Sequence, residues 1–470
     1  MNRGNKYLCH SVGNTNKNPI FVTEVTVTAV TLLEKMKFYN REIETETLQR
    51  IERLSKDNAQ MTVITGRRRI GKTTLIRHAS TEIPFIYFFV GRKSETLLCA
   101  ELTDIVKETL GEELGTFNSM SKLFSALMNI SCRRNFTLVF DEFQNFAQVN
   151  DAFFSDMQDI WDRTKDNSRI NLILSGSLYS MMNRIFDDRK EPLYGRATNR
   201  IKLQPFTINT LKEIMSDYHP EFTADDLLAF YMVTGGVAKY VEQLVIQQAF
   251  TKEDIVKSVL GYGSYFINEG KDVLSDEFGK EYGNYFSVLS SIADGYTSRG
   301  DITNTTGVES GGYLAKLETV YDLIERTKPY LSAEGTRNNR YLIKDNFLNF
   351  WFRFVYKYRS AIEFGNLEYV QQKVLADYDT YSGHILERYF RQKYKETGLY
   401  NIVTNYWEKG NANEIDLIAV NEVDKEVVIG ECKRNPKRIS LNVLQEKAAN
   451  IQTKQKKFSY HFIGLSLEDM

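Results

Sequence analysis

Cysteine is scarce: four residues in 470, Cys9, Cys99, Cys132 and Cys432, lie far apart, with no CxxC pair and no histidine cluster beside them. That argues against a disulfide framework or a thiolate zinc site, and fits reduced thiols in the cytoplasm. Long apolar runs are lacking too. No stretch approaches the ~18 consecutive apolar residues of a membrane span, so no membrane partner is expected. The apolar part of VTEVTVTAVTLLEKM near the start is interrupted by Glu24 and lacks a clear small-residue cleavage site, unlike a signal peptide. An excess of one charge is missing as well: 60 Lys/Arg against 61 Asp/Glu leave a net charge of −1. Any contact with nucleic acid would therefore rest on local patches. Prolines number only seven, and neither an internal repeat nor a low-complexity tract is present. What remains is an ordinary globular composition, in a chain long enough for about three or four domains.

Short apolar runs, MTVIT (61–65), FIYFFV (85–90), FTLVF (136–140) and NLILS (171–175), alternate with helical patterns. Such runs read as strands buried on both faces, and the alternation as an open parallel α/β sheet. After Pro205 the pattern turns helical to about residue 280, broken by TGG at 234–236. Residues 281–365 read as two short helices, a third ending near Leu323, and two strands around a polar turn in SAEGTRNNRYLI, the order of a winged helix. From about residue 366 the chain returns to mixed α and β, with a helix at HILERYFRQKY and strands at EIDLIAV and EVVIGEC. FLNFWFRFVYKY (347–358) reads as core rather than as a base-stacking platform.

GRRRIGKT, after the first strand, fits GxxxxGK[ST]. Its glycines let backbone N–H groups turn inward around phosphates, Lys72 neutralises β and γ charge, and the Thr73 hydroxyl holds Mg²⁺. The candidate ATP-binding residues are Gly66, Arg67, Arg68, Arg69, Ile70, Gly71, Lys72, Thr73 and Thr74. LVFDEF ends a strand in two acids: Asp141 to place Mg²⁺, and Glu142 to polarise the attacking water. LSGS closes the next strand with Ser175, read either as a γ-phosphate sensor or as a plain strand-to-helix turn. Arg196 in PLYGR reads as a γ-phosphate-sensing arginine, an arginine finger toward a neighbouring subunit, or a surface residue.

Together FYNRE, GRRRIGKT, FDEFQ, LSGS, PLYGR with LQPF, and TGG resemble the archaeal-type ATPases of the AAA+ and signal-transducing ATPase superfamily, from Met36 essentially to the C-terminus. The resemblance implies a RecA-like core (36–205), a helical lid (206–280) and a winged helix (281–365). Relatives often carry proline in the TGG-x-P-x-Y block, where this chain has Ala238, so a lid contact to nucleotide rests on Gly235, Gly236 and Lys239. It also makes residues 1–35 an extension ahead of the usual MKFYNRE start, non-native or a disordered leader.

In the last hundred residues Glu387 lies on a helix, Asp416 on the next strand pair, and Glu431 and Lys433 in E-x-K, where i and i+2 share a strand face. Two carboxylates can hold Mg²⁺ against a scissile phosphate while the lysine positions water. Asp416 and Glu431 are the candidate ligands. The arrangement resembles the PD-(D/E)XK nuclease superfamily, implying a restriction-endonuclease-like domain over 366–470. Residues 431–458 carry eight Lys/Arg against Glu431 and Glu446, a stretch able to follow a phosphate backbone. Arg299, Lys316, Arg337 and Arg340 fall where winged helices commonly touch DNA, with acids interspersed. The expectation is an ATPase whose hydrolysis regulates action on DNA, with metal-dependent cleavage by the C-terminal domain. Its rivals are an ATP-dependent switch that binds nucleic acid without cutting, and a protein-directed ATPase. A homo-oligomer or a protein partner fits each of them.

Overall fold

The computed structural model describes residues 37–80, 82–177, 179–278 and 282–470. The reading of residues 1–35 lies outside them. Strands β1 (Gln60–Thr65), β2 (Phe85–Phe89), β3 (Phe136–Asp141), β4 (Ile170–Gly176) and β5 (Asn199–Lys202) form one sheet in the order β2-β3-β4-β1-β5. All its pairings are parallel. β3 and β4 are buried throughout, as unbroken apolar runs require. β5 alternates half-buried and exposed residues in NRIK, carries no apolar run, and escapes the sequence pattern. Phe88, Phe124, Phe140, Phe143, Phe146 and Phe153 interlock with Trp161 into the core beside the sheet. Phe143 and Phe146, just after Asp141 and Glu142, pack on Phe140 at the end of β3.

The FYNRE and LQPF blocks meet in space. Arg41 is buried, donates to the Gln204 carbonyl at 2.6 Å and lies 5.0 Å from the Phe206 ring centroid.

Helix α1 (Lys72–Ala79) follows the phosphate loop, and α2 (Ala152–Thr164) covers the sheet before β4. Residues 208–278 are helical: α3 (Ile208–Tyr218), α4 (Ala224–Thr234), α5 (Ala238–Ile246), α6 (Lys252–Val259) and α7 (Tyr265–Phe278). Helix α4 starts in a Thr223/Asp226 capping box and stops at TGG. Gly236 has φ 78°, and a Cβ there would stand 2.4 Å from the Phe206 carbonyl oxygen, so glycine alone permits this approach. The same junction is tied by the Phe206 amide donating to the Gly236 carbonyl at 2.8 Å.

Next come α8 (Tyr282–Ala293), α9 (Arg299–Thr306), α10 (Gly311–Thr319) and the antiparallel pair β6 (Ile324–Thr327) and β7 (Arg340–Ile343). The first hairpin strand precedes the SAEG turn rather than abutting it. The connecting loop packs on the C-terminal sheet: Tyr330 donates its amide to the Asn405 carbonyl at 3.2 Å, and Trp407 donates to the Asn338 side chain at 3.1 Å. Arg340 stacks on Trp407 at 4.3 Å and pairs with Glu414. This corrects the expectation of a DNA-facing Arg340, because its charge and its flat face are engaged within the chain. The aromatic stretch after the hairpin is core, with Phe347, Phe350, Trp351, Phe352 and Phe354 buried.

The 30-residue helix α11 (Leu367–Glu396) leads into β8 (Ile402–Tyr406), β9 (Ile415–Asn421), β10 (Glu426–Cys432), helix α12 (Leu441–Lys454) and β11 (Ser459–Leu465). The sheet order is β11-β10-β9-β8, antiparallel except for β10 with β11, which α12 connects. Ile418, Val420, Val427 and Ile429 pack on Leu444, Ala448 and Ile451 of α12, and the residues between them, Leu417, Ala419 and Val428, are buried as well.

Candidate nucleotide site and C-terminal acidic cluster

The phosphate loop joins the C-terminal end of β1 to α1. Three left-handed residues curl it, Gly66 (φ 154°), Arg69 (φ 71°) and Gly71 (φ 94°), and a Cβ at Gly66 would stand 2.9 Å from the Leu203 carbonyl oxygen. Lys72 is buried and donates to the carbonyls of Gly66 at 2.9 Å and Arg67 at 3.2 Å. Burial pushes its ammonium down to about 8, against the pull of Glu142 and Asp141. The Thr73 hydroxyl donates to Asp141 Oδ2 at 2.9 Å, and Tyr87 donates to the same oxygen at 2.6 Å. Thr73 and Asp141 thus present adjacent hard oxygen donors beside the loop, a set that fits Mg²⁺. Ile70 is buried and Thr74 exposed.

The arginines of the loop point outward. Arg67 pairs with Asp345 and donates to the Tyr240 hydroxyl at 3.3 Å, Arg68 donates to the Asp272 carbonyl at 3.2 Å, and Arg69 pairs with Glu269 at 3.2 Å. Their side chains tie the loop to the helical region, which also meets it where the Lys239 amide donates to the Arg69 carbonyl at 3.1 Å. The Lys239 ammonium turns to Glu242 at 2.8 Å. Gly235 lines the cleft described below.

Glu142 sits in the left-handed region (φ 55°) and is held by Gln144 and by the Ser177 hydroxyl, which donates to its two oxygens at 2.9 and 2.8 Å. Ser175 is fully buried in the sheet opposite Asp141, and its hydroxyl has no hydrogen-bond partner among the described residues. The serine that reaches Glu142 is the second one of LSGS, one residue beyond the strand end. The doubling of serine in that block was the available signal. Arg196 is not brought to the loop. It donates to the Tyr194 carbonyl at 2.8 Å and pairs with Asp162 of α2 at 3.1 Å, two residues before Thr198 meets the opening of β1. The loop lies at the other end of that strand, about 17–20 Å away.

A cleft of about 860 Å³ opens at the loop, lined on one side by Gly66, Arg67, Arg68, Glu142 and Ser177. Arg388, Arg391, Gln392, Lys395 and Glu396 of α11 form another part of its wall, a neighbour that sequence spacing gave no sign of.

Farther along the chain, the four foreseen residues converge. Lys433 Nζ lies 3.2 Å from Asp416 Oδ2 and 3.4 Å from Glu431 Oε1. Glu387 faces the group from α11, paired with His384 and Arg391 at 3.5 Å each. Lys447 of α12, counted earlier only within a basic stretch, reaches Glu431 Oε1 at 3.3 Å. Burial, reinforced by the Glu387 charge, raises Asp416 to about 6. Burial also pushes Glu387 up, but the His384 hydrogen bond and the Arg391 charge outweigh it and leave this carboxyl below its usual range. Asp416 Oδ2 further accepts the Cys432 amide at 2.9 Å. Among the described residues no three His, Cys, Asp or Glu side chains are gathered tightly enough to form a metal cage. Asp416 and Glu431 nevertheless each place a carboxylate oxygen beside Lys433 Nζ, and Mg²⁺ sites completed by phosphate and water use one or two such carboxylates.

This sheet, loop and acid pair define a P-loop ATPase core. Residues 38–244 match the family described as an ATPase domain predominantly from Archaea, so this portion of the chain is an ATPase domain. Residues 351–452 match archaeal and bacterial proteins of unknown function. An uncharacterized protein of Methanocaldococcus jannaschii is 29% identical over 405 residues, covering 84% of this chain and 87% of that protein. The Walker-type ATPase of Pyrococcus abyssi shares the fold, with a TM-score of 0.52 at 18% identity over 67% of this chain and 96% of that one. The ORC2 protein of Aeropyrum pernix, in its ADPNP–ADP complexes, aligns at a TM-score of 0.47 and 13% identity over 72% and 96% of the two chains. No described helix is long and apolar enough to cross a membrane.

Proposed function

We propose that the protein is an AAA+-type ATPase whose nucleotide cycle governs metal-dependent action on DNA at the C-terminal cluster. In this reading residues 282–343 are a winged helix used chiefly for packing, and 367–465 a nuclease-like domain. The observation that carries it is the convergence of Asp416, Glu431 and Lys433 at one end of the two central strands of a sheet built as helix, three antiparallel strands, helix and parallel strand. At the first site Lys72 neutralises phosphate charge, Thr73 and Asp141 hold Mg²⁺, and Glu142, steadied by Ser177, accepts a proton from the attacking water. At the second, Asp416 and Glu431 hold a divalent ion, which when bound polarises a phosphodiester. Lys433 orients the water there, and Glu387 holds the surrounding cations in place.

The experiment is incubation of plasmid and linear DNA with the protein, Mg²⁺ or Mn²⁺, with and without ATP, beside Lys433→Ala. Cleavage that the substitution abolishes supports the reading. Absence of cleavage under every condition removes it. In its place would stand a switch that binds nucleic acid without cutting, a second reading favoured by one observation: Lys433 and Lys447 both neutralise Glu431. Salt-dependent DNA binding would identify that switch. Arg196, paired here with Asp162 on the surface, is assigned to a contact between subunits if the protein assembles as a ring.

A further inference from the structure

Helix α11 faces two places at once, and one of its residues touches both. Arg391 lines the cleft whose other wall is Gly66 to Arg68 with Glu142 and Ser177. Its guanidinium also lies 3.5 Å from Glu387 Oε2 and donates to the Asp416 carbonyl at 2.7 Å. That carbonyl is available because β9 pairs with β10 only as far as Leu417 and Gly430, one residue short of Asp416. Arg388, one residue after Glu387, is spent differently: it donates to the carbonyls of Ile343 at 2.8 Å and Lys344 at 3.3 Å and to the Asn346 side chain at 2.8 Å. Of these two arginines on the cleft wall, Arg391 is the one in contact with the acidic cluster.

We propose that Arg391 is a positioning residue shared by the two sites, through which nucleotide in the cleft sets the geometry of Glu387 and Asp416. This rests on reading the C-terminal cluster as a metal-dependent phosphodiesterase centre. In the structure Arg391 neutralises Glu387 and fixes the Asp416 backbone. A nucleoside triphosphate brings several negative charges to the same cleft, and a planar guanidinium with five N–H donors is suited to follow them. Arg391 then shares or surrenders its contacts with Glu387 and the Asp416 carbonyl. The start of β9 loosens, and the negative charge of Glu387 becomes available to the metal-binding pair. By linkage, metal at the second site would in turn favour nucleotide at the first.

The test is hydrogen–deuterium exchange of peptides covering Ile415–Asn421, with and without a non-hydrolysable ATP analogue and Mg²⁺, in wild type, Arg391→Ala and Arg391→Lys. A fluorescent nucleotide establishes that each protein is saturated. Saturation is expected to speed exchange in this segment about fivefold or more in wild type, an effect lost in Arg391→Ala and partly kept in Arg391→Lys. Exchange indifferent to nucleotide in saturated wild type overturns the proposal, as does an undiminished response in Arg391→Ala. If Arg391→Ala fails to fold, the wild-type response and its weakening in Arg391→Lys decide. Plasmid cleavage measured in parallel separates the two readings. A nucleotide-dependent exchange response without cleavage keeps the coupling and removes the phosphodiesterase centre. Cleavage whose rate ignores nucleotide keeps the centre and overturns the coupling.

Discussion

At the phosphate loop, the residues from Gly66 to Thr73 are consecutive, and backbone shape does the positioning: left-handed glycines and a buried strand end leave Lys72 one place to go. At the C-terminal cluster, Glu387, Asp416, Glu431 and Lys447 come from α11, β9, β10 and α12, and ion pairs do the positioning. The first arrangement is local and rigid. The second is assembled by tertiary structure, and each of its charges is balanced by another. A site of the first kind fails outright when one residue is lost, whereas a site of the second kind can be retuned by exchanging partners.

The largest effect that would sharpen this contrast is at Lys72. Lys72→Ala should lower ATP hydrolysis at saturating nucleotide by about 10³-fold, since nothing else in the loop offers a charge at that point. The helical region and C-terminal sheet should keep their thermal transition. A loss below about tenfold would mean that the outward arginines can turn in and substitute, and the loop would then be no more rigid than the cluster.

A second prediction sets the two sites against each other in pH. Lys72 binds phosphate as an ammonium, and burial holds its value near 8. Metal-free nucleotide affinity should therefore be level at lower pH and fall by about tenfold per unit above that value. Asp416 must lose its proton to hold a cation, and its value stands near 6. Mn²⁺ affinity at the C-terminal site, measured without nucleotide, should rise by about tenfold per unit up to that pH and then level off. The same two shifts act on stability. A lysine lowered by folding contributes least at low pH and gains from about 8 to 10.5, while an aspartate raised by folding costs stability as pH climbs from about 3.8 to 6. Two titrations in the same window would break the comparison.

The contrast also explains what could be read from residues alone. The loop, the acids of β3 and the strands β1 to β4 were legible, because each is a contiguous pattern whose physics is local. Asp416, Glu431 and Lys433 were legible as a hairpin with E-x-K, since strand periodicity puts i and i+2 on one face. Lys447 was not, because its role follows from how α12 docks on the sheet; His384 and Arg391 stand three and four residues from Glu387 on α11, so their pairing with it is ordinary helical spacing, and only the reach of Arg391 to the Asp416 carbonyl depends on docking. The outward course of Arg67, Arg68 and Arg69 was hidden for the same reason, because their partners Asp345, Asp272 and Glu269 lie about 200 residues or more away. Arg340 read as a candidate DNA contact on the wing, whereas Trp407 and Glu414 occupy it.

The smallest predicted effect concerns the two serines of LSGS, and it tests how local the first site is. Ser177 donates to both oxygens of Glu142, so Ser177→Ala frees the carboxylate to swing while leaving Gln144 to hold it. A hydrogen bond to a charged group contributes about 1.5 kcal/mol or more, so hydrolysis at saturating ATP should fall by about tenfold with KM little changed. Ser175→Ala removes a buried hydroxyl that has no partner among the described residues, and should stabilise the fold slightly, seen as a rise in Tm. Its effect on hydrolysis should be the smaller of the two. If Ser175→Ala instead proves the more damaging, the buried hydroxyl is waiting for the γ-phosphate, and the strand end, rather than the turn after it, is the part of β4 that senses nucleotide.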